Sequence, residues 1–411
     1  MTMENENREQ SLLSLQSGKA PESNSVLQEI TVGLDSLTEF LTKHYLKTYI
    51  PEGGSKIKFV TGNPGSGKTH FTLWMRHEAE ECGFLTVILS AKEVWLHDFR
   101  EIYLQILRQC DIAHIVEECA KTAVRRMGHD PAAIPEGKKY VDLLSEMGEN
   151  DAITRNALRQ VLREMFVRNP LLDNTFAVCC SMLTGDILGH PVLESGGREI
   201  LLGWLNGDKT IKAAQMRSLG INPTPITKYN ARHLLRSLGE VIHMGGYQGL
   251  LVSIDDMEIL LNHGSADAMR YTKTRREDTY ESIRQLIDDI DSMHYVFFLL
   301  SFDRELMDDE NLGMKSYQAL WLRVQNEIVS TRFNRFADII DMDRYGDEMY
   351  TPEALCQMSE KLVQALSGED QEKFPLNIEN AENIRERAVY GRLGLPYMMN
   401  RMTLEGVREN G

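Results

Sequence analysis

The apolar positions of this chain fall into two kinds of run. Four runs are short and continuous: KIKFVT ending at Thr61, FLTVILS beginning at Phe84, GLLVSIDD beginning at Gly249 and YVFFLLS ending at Ser301. Runs of this length and density fit strands buried on both faces, as in a parallel sheet. Elsewhere apolar residues recur every three to four positions, the rhythm of a helix with one buried face. That rhythm runs from Leu27 to Tyr49 through LTEFLTKHYL, fills HFTLWMRHEAEECG up to Gly83, and returns in YESIRQLIDDID between the third and fourth apolar runs. PEGG breaks the helical pattern ahead of the first strand, so helix, strand, loop, helix and strand follow in order.

From about residue 97 to residue 245 the pattern is helical throughout, in FREIYLQILRQC, ALRQVLREMFV, GREILLGWLNG and NARHLLRSLGEVIHM, and no strand is expected there. The tail from about Pro352 repeats the helical rhythm in EALCQMSEKLVQAL, AENIRERAVYGR and a last segment after GLPYMM. Residues 1–25 lack sustained periodicity apart from SLLSL and end in SGKAPESNS, which reads as a flexible arm. The expected division is an arm at 1–25, an α/β core at 26–345 with a helical insertion at about 97–245, and a small helical, lid-like C-terminal module at 346–411. No internal repeat is visible.

Composition narrows the functional classes. The chain has 411 residues, 42% hydrophobic and 26% charged, an ordinary globular mixture able to bury a core. Its 61 acidic against 45 basic residues give a net charge of -16, which argues against a free-standing nucleic-acid binder, because phosphate contacts need clustered positive charge. The six cysteines form no CxxC pair: Cys179 and Cys180 are neighbours, and Cys82, Cys110, Cys119 and Cys356 are scattered. Reduced, buried thiols are expected rather than a zinc site or a disulfide framework. MTMENENREQ has no apolar signal region, and no run approaches the roughly 18 apolar residues of a membrane span; a cytoplasmic protein without a membrane segment is the expectation.

The loop after the first strand, GNPGSGKTH at residues 62–70, carries the chemistry. Gly62, Gly67, Lys68 and Thr69 fill every fixed position of GxxxxGK(S/T), and Asn63, Pro64, Gly65, Ser66 and His70 complete the stretch. The glycines let backbone N–H groups curl around phosphates, the lysine reaches the β and γ oxygens, and the threonine hydroxyl ligates Mg2+. ATP with Mg2+ is therefore the expected ligand pair, and an α/β P-loop NTPase the expected fold. Such a loop needs a carboxylate at the end of a neighbouring strand. GLLVSIDDMEIL supplies Asp255 for the metal and Asp256 to orient or deprotonate the attacking water. HEAEE is not HExxH, no other His or Cys spacing builds a metal site, and no GxSxG elbow occurs. The one basic cluster near this half is KTRRE at 273–277, read as a solvated turn with a DNA-facing or subunit-facing segment as the alternative.

Taken in order, ITVGLDSL, GNPGSGKTHF, SAKEVWLHDFREIYLQIL, ITKYNARHLLRSL and GYQGLLVSIDDME resemble the Orc/Cdc6-like AAA+ ATPases of bacterial BREX phage-defence loci over nearly the whole chain. The resemblance implies an AAA+-like core and an ATP-dependent, oligomerising member of a multi-protein defence system acting near DNA. It also implies further site residues. Ser301 falls where that fold puts a polar sensor of the γ-phosphate, and Arg332 or, in preference, Arg335, three apart on one helical face, would supply a cation to a neighbouring subunit's site. This chain departs from the pattern at two places. Asp255-Asp256 stands where such ATPases carry Asp-Glu, which shortens the second side chain by about 1.5 Å and implies slow hydrolysis; Glu258 could substitute from the next turn, but as an exposed residue beginning a helix it is read as structural. In GLPYMMNR, Tyr397 occupies the place of a lid arginine, and Arg401 follows one turn later.

The leading expectation is thus a slow ATPase that controls a DNA-associated defence complex. A non-hydrolysing nucleotide switch or scaffold is the competing reading, kept open by Asp256. A small-molecule P-loop kinase fits less well, because 186 residues separate Lys68 from Asp255.

Overall fold

The computed structural model describes residues 3–261, 269–325, 333–367 and 375–410. Five parallel strands form one sheet: β1 (Lys56–Gly62), β2 (Leu85–Ser90), β3 (Leu250–Asp255), β4 (Val296–Asp303) and β5 (Ile339–Asp341), in the spatial order β2-β3-β4-β1-β5. The four apolar runs of the sequence are β1 to β4. β5 was not among them, because it is three residues long and preceded by polar Asn334, Arg335 and Asp338. Neighbours on either side keep β3 and β4 buried on both faces, which is why their sequences run apolar without alternating.

Alternation reappears in what each face touches. Phe298, Leu300 and Phe302 of β4 pack with Val252 and Ile254 of β3 into one core, shared with the helices between β2 and β3. Phe297 and Leu299 face a second core with Val60, Phe71, Met75, Tyr345 and Leu395. The sheet therefore separates the long helical segment from the helix Lys68–Glu81 and the C-terminal helices. Between β2 and β3 the described chain carries helices alone, from Phe99–Gln109 to Ala231–Met244. Cys119, Cys179 and Cys180 are wholly buried within this block, and burial pushes the thiols of Cys119 and Cys179 up to about 12, so they act as small apolar fillers.

Two parts differ from the expected outline. Met3–Gln16 is a helix whose Leu15 reaches the second core, with Arg8 bridging Glu29 and the Leu15 carbonyl accepting from Asn400; the short SLLSL patch finds tertiary partners that local periodicity does not reveal. Arg335 sits in an exposed turn ahead of β5, not on a helical face, and Arg332 lies outside the described residues. No helix among the described residues is long and apolar enough to cross a membrane.

Phe298 is fully buried at the centre of β4. Phe298→Ala should lower unfolding stability by about 3–5 kcal/mol, measured by denaturant or thermal unfolding; a loss under about 1 kcal/mol would mean that this face of the sheet is not a packed core.

Candidate functional site

The site forms where β1, β3 and β4 end together. Parallel pairing sets Gly62 of β1 opposite Asp303 of β4, and β3 alongside β4 carries Asp255 to the same edge. Past Gly62 the chain turns through Asn63–Gly67, with Gly65 at φ 78° and Gly67 at φ 94°, a left-handed geometry that favours glycine. Gly67 then caps the helix Lys68–Glu81, whose first-turn N–H groups have no partner within the helix and face the loop. A Cβ at Gly62 would stand 2.4 Å from Ser66 Oγ, so the loop is wound tightly on itself.

Lys68 is buried, and its ammonium donates to Gly62 O at 3.2 Å and Asn63 O at 3.0 Å and pairs with Asp303 Oδ1 at 2.8 Å. Thr69 Oγ1 donates to Asp255 Oδ2 at 2.7 Å, across 186 positions of sequence. The other Asp255 oxygen accepts from the Asp256 N–H at 2.8 Å. Asn63 N donates to Asp343, and Asp343 with Asp341 holds the Arg304 guanidinium. The loop is thereby tied to the end of β5 as well as to β4.

Of the residues singled out in the sequence, Lys68, Thr69 and Asp255 lie together. Asp256 is not aimed at the same point: it takes a positive φ of 62°, accepts from Ser90 Oγ at 2.7 Å and pairs with Lys92. Its carboxylate is held toward the end of β2. Ser301 lies within β4 opposite Val60, fully buried and with no hydrogen-bond partner for its Oγ among the described residues. The polar side chain at the strand end is Asp303, which sequence reading missed by ending the strand at its first polar residue. Phe302, fully buried, was the available signal that the strand continues. Arg335 precedes β5 and so sits at the other end of the sheet, its guanidinium 5.5 Å over the Phe40 ring.

Around the loop, His70 Nε2 bonds Thr31 Oγ1 at 2.8 Å, and burial lowers the imidazole to about 4, so it is neutral at pH 7. The ITVGLD segment is held from the C-terminal side, with Gly33 O accepting from Tyr345 Oη and Thr31 O from Lys361. Gly394 N donates to Pro64 O at 2.9 Å, Tyr397 N donates to Gly65 O at 3.2 Å, and a Cβ at Gly65 would stand 2.3 Å from Tyr397 Cβ. GLPY is thus a main-chain clamp on the loop, while Arg401 is spent on Glu405 at 3.1 Å. In KTRRE, Arg276 is buried and holds the carbonyls of Leu260 and Tyr271, whereas Arg275 is exposed and stacks 4.5 Å over Trp95.

Glu258 is half-buried rather than exposed, and burial together with the nearby Asp303, Asp256 and Asp255 charges pushes its carboxyl up to about 7. An acid raised in the folded state binds a proton there that the unfolded chain has released, so its contribution to stability falls as pH rises from about 4.5 to about 7. Glu258→Gln should therefore raise the melting temperature more at pH 8 than at pH 5; an equal shift at both would contradict a raised Glu258.

Gly394 admits no side chain, since a Cβ there would stand 2.1 Å from Ser66 N. Gly394→Ala should free the last helix from the loop, read as faster proteolysis near the C-terminus and a lower melting temperature; unchanged behaviour would show that the clamp is not rigid.

No curated protein and no solved structure matches the chain. The family described as BREX system ATP-binding protein BrxC/D matches residues 3–400, and the loop, strand ends and clamp described above all lie within that span. The chain belongs to the BREX system ATP-binding protein BrxC/D family.

Proposed function

We propose that this protein is an AAA+-like P-loop ATPase of slow turnover that uses its nucleotide state to control assembly of a DNA-associated defence complex. The observation that carries the reading is the Thr69–Asp255 hydrogen bond of 2.7 Å beside buried Lys68. It brings together segments far apart in sequence at the carboxyl ends of parallel strands, where open α/β sheets bind ligands, and so supports reading them as the two halves of a nucleotide-metal site. Thr69 and Asp255 present hard oxygen donors side by side, a set that fits Mg2+; the ion would draw charge from the phosphate oxygens when bound.

The chain's own residues have separable roles in this reading. Backbone N–H groups from Gly65 to Thr69 cradle the phosphates, Lys68 neutralises them, and Asp256, once released from Ser90 and Lys92, positions the attacking water. His70, Thr31 and the GLPY clamp border the loop where the nucleoside would extend. Arg335, exposed and remote from its own loop, suits a cation offered to a neighbouring copy in a homo-oligomer. Exposed Lys273 and Arg275 are the local positive charges available to DNA on an otherwise acidic chain.

A second reading is favoured by one observation. Asp256 is engaged by Ser90 and Lys92, and a carboxylate so held does not take a proton from water, which suits a switch that binds ATP without consuming it.

Lys68→Ala should weaken ATP binding on the order of a hundredfold, and equal affinity in the variant would overturn the proposal. Radiolabelled ATP incubated with Mg2+, with and without duplex DNA, separates the two readings. Label recovered as ADP faster than in the Lys68→Ala control supports the ATPase, and label retained as intact ATP supports the switch.

A further inference from the structure

A lysine ammonium has three donors, and all three of Lys68 are committed: to Gly62 O at 3.2 Å, to Asn63 O at 3.0 Å and to Asp303 Oδ1 at 2.8 Å. Two of these acceptors are main-chain carbonyls of the phosphate loop itself. The third is a carboxylate on the neighbouring strand, set opposite Gly62 by the register of β1 and β4. The pair is sheltered, with side chains 9% and 23% exposed, so salt screens it less than an open surface pair. A phosphate oxygen that reaches Lys68 must take over at least one donor. The carbonyls belong to the cradle and move only with it, whereas the Asp303 side chain can be given up alone.

We propose that Asp303 is a built-in competitor for phosphate, holding Lys68 while the loop is empty and setting the loop's preference between nucleoside triphosphate and diphosphate. The proposal rests on the nucleotide-binding reading above. When a triphosphate enters, Lys68 exchanges Asp303 for phosphate oxygens, and the released carboxylate is left beside new negative charge. The γ-phosphate adds charge at the end of the chain that a P-loop lysine serves, so the opposition falls harder on ATP than on ADP.

Among the described residues, the cations near Asp303 other than Lys68 are already engaged. Arg304, next in sequence, is held by Asp341 and Asp343, and Lys92 is paired with Asp256. Among the described residues, Lys68 is the cation paired with Asp303. Asp255, Asp256 and Asp303 thus stand against Lys68 and Lys92, an excess of negative charge that a divalent cation arriving with the nucleotide would offset. Triphosphate binding should accordingly depend more strongly on the cation than diphosphate binding does. Asp303 acts here through Lys68 and is a positioning and specificity residue.

The test is a set of dissociation constants for ATP and ADP, with Mg2+ and with a chelator, on the full chain and its Asp303→Asn and Asp303→Glu variants. Asp303→Asn removes the charge with nearly the same shape. It should tighten ATP on the order of tenfold, tighten ADP by less than about threefold, and reduce the Mg2+ dependence of ATP binding. Asp303→Glu keeps the charge and should keep the parent's pattern. If Asp303→Asn does not fold, as judged by its melting curve, Asp303→Ser must give the same ATP-selective gain. No gain, an equal gain for both nucleotides, or Asp303→Glu behaving like Asp303→Asn overturns the competitor role. If the parent binds ATP through Lys68 yet Asp303→Asn changes nothing, that role alone is lost. If neither nucleotide binds the parent or any variant, the nucleotide reading fails and the proposal with it.

Discussion

Parallel hydrogen bonding among β3, β4 and β1 is the constraint on which the rest depends. Because the strands run in one direction and in register, their carboxyl ends arrive at one edge, and Gly62, Asp255 and Asp303 come together there. A one-residue slip of β4 would set Phe302 or Arg304 opposite Gly62 and exchange the side chains that fill the two cores. Burial of both faces makes such a slip costly, so packing and site geometry are secured by the same residues.

That constraint explains how the chain tolerates a long helical segment between β2 and β3. Closing a longer loop adds only slowly to the entropic cost. The segment also contributes its own buried side chains, with Tyr103, Phe166, Phe176 and Leu235 in the core on one face of the sheet. The opposite face is left to the helix Lys68–Glu81 and to the C-terminal helices. From that side GLPY reaches Pro64 and Gly65, so the loop is held by the segment that opens the last helix.

Electrostatics gives the site a character that motif matching does not convey. Carboxylates outnumber ammonium groups around the loop, and the cations present are already paired. A site of this kind is poised to exchange partners rather than to attract anions at long range. Asp256 belongs to the same set of paired charges, engaged with Ser90 and Lys92.

The four longer strands, the helical block between β2 and β3 and the glycine-rich loop at 62–70 are legible in the sequence, because each is written in local periodicity or in fixed short spacing. The sequence placed Thr69 and Asp255 in one site through the chemical need for a metal carboxylate, not through any local signal. Only the tertiary structure decided that β5 completes the sheet, that Met3–Gln16 packs as a helix, that Asp303 and not Ser301 ends β4, and that Arg335 lies at the far edge. These depend on long-range pairing. A three-residue edge strand has too little pattern to stand out, and a buried serine inside a strand looks from sequence like the strand's end. The partner of a side chain such as Lys68 is set by which strand lies alongside, and that is settled only when the whole sheet forms.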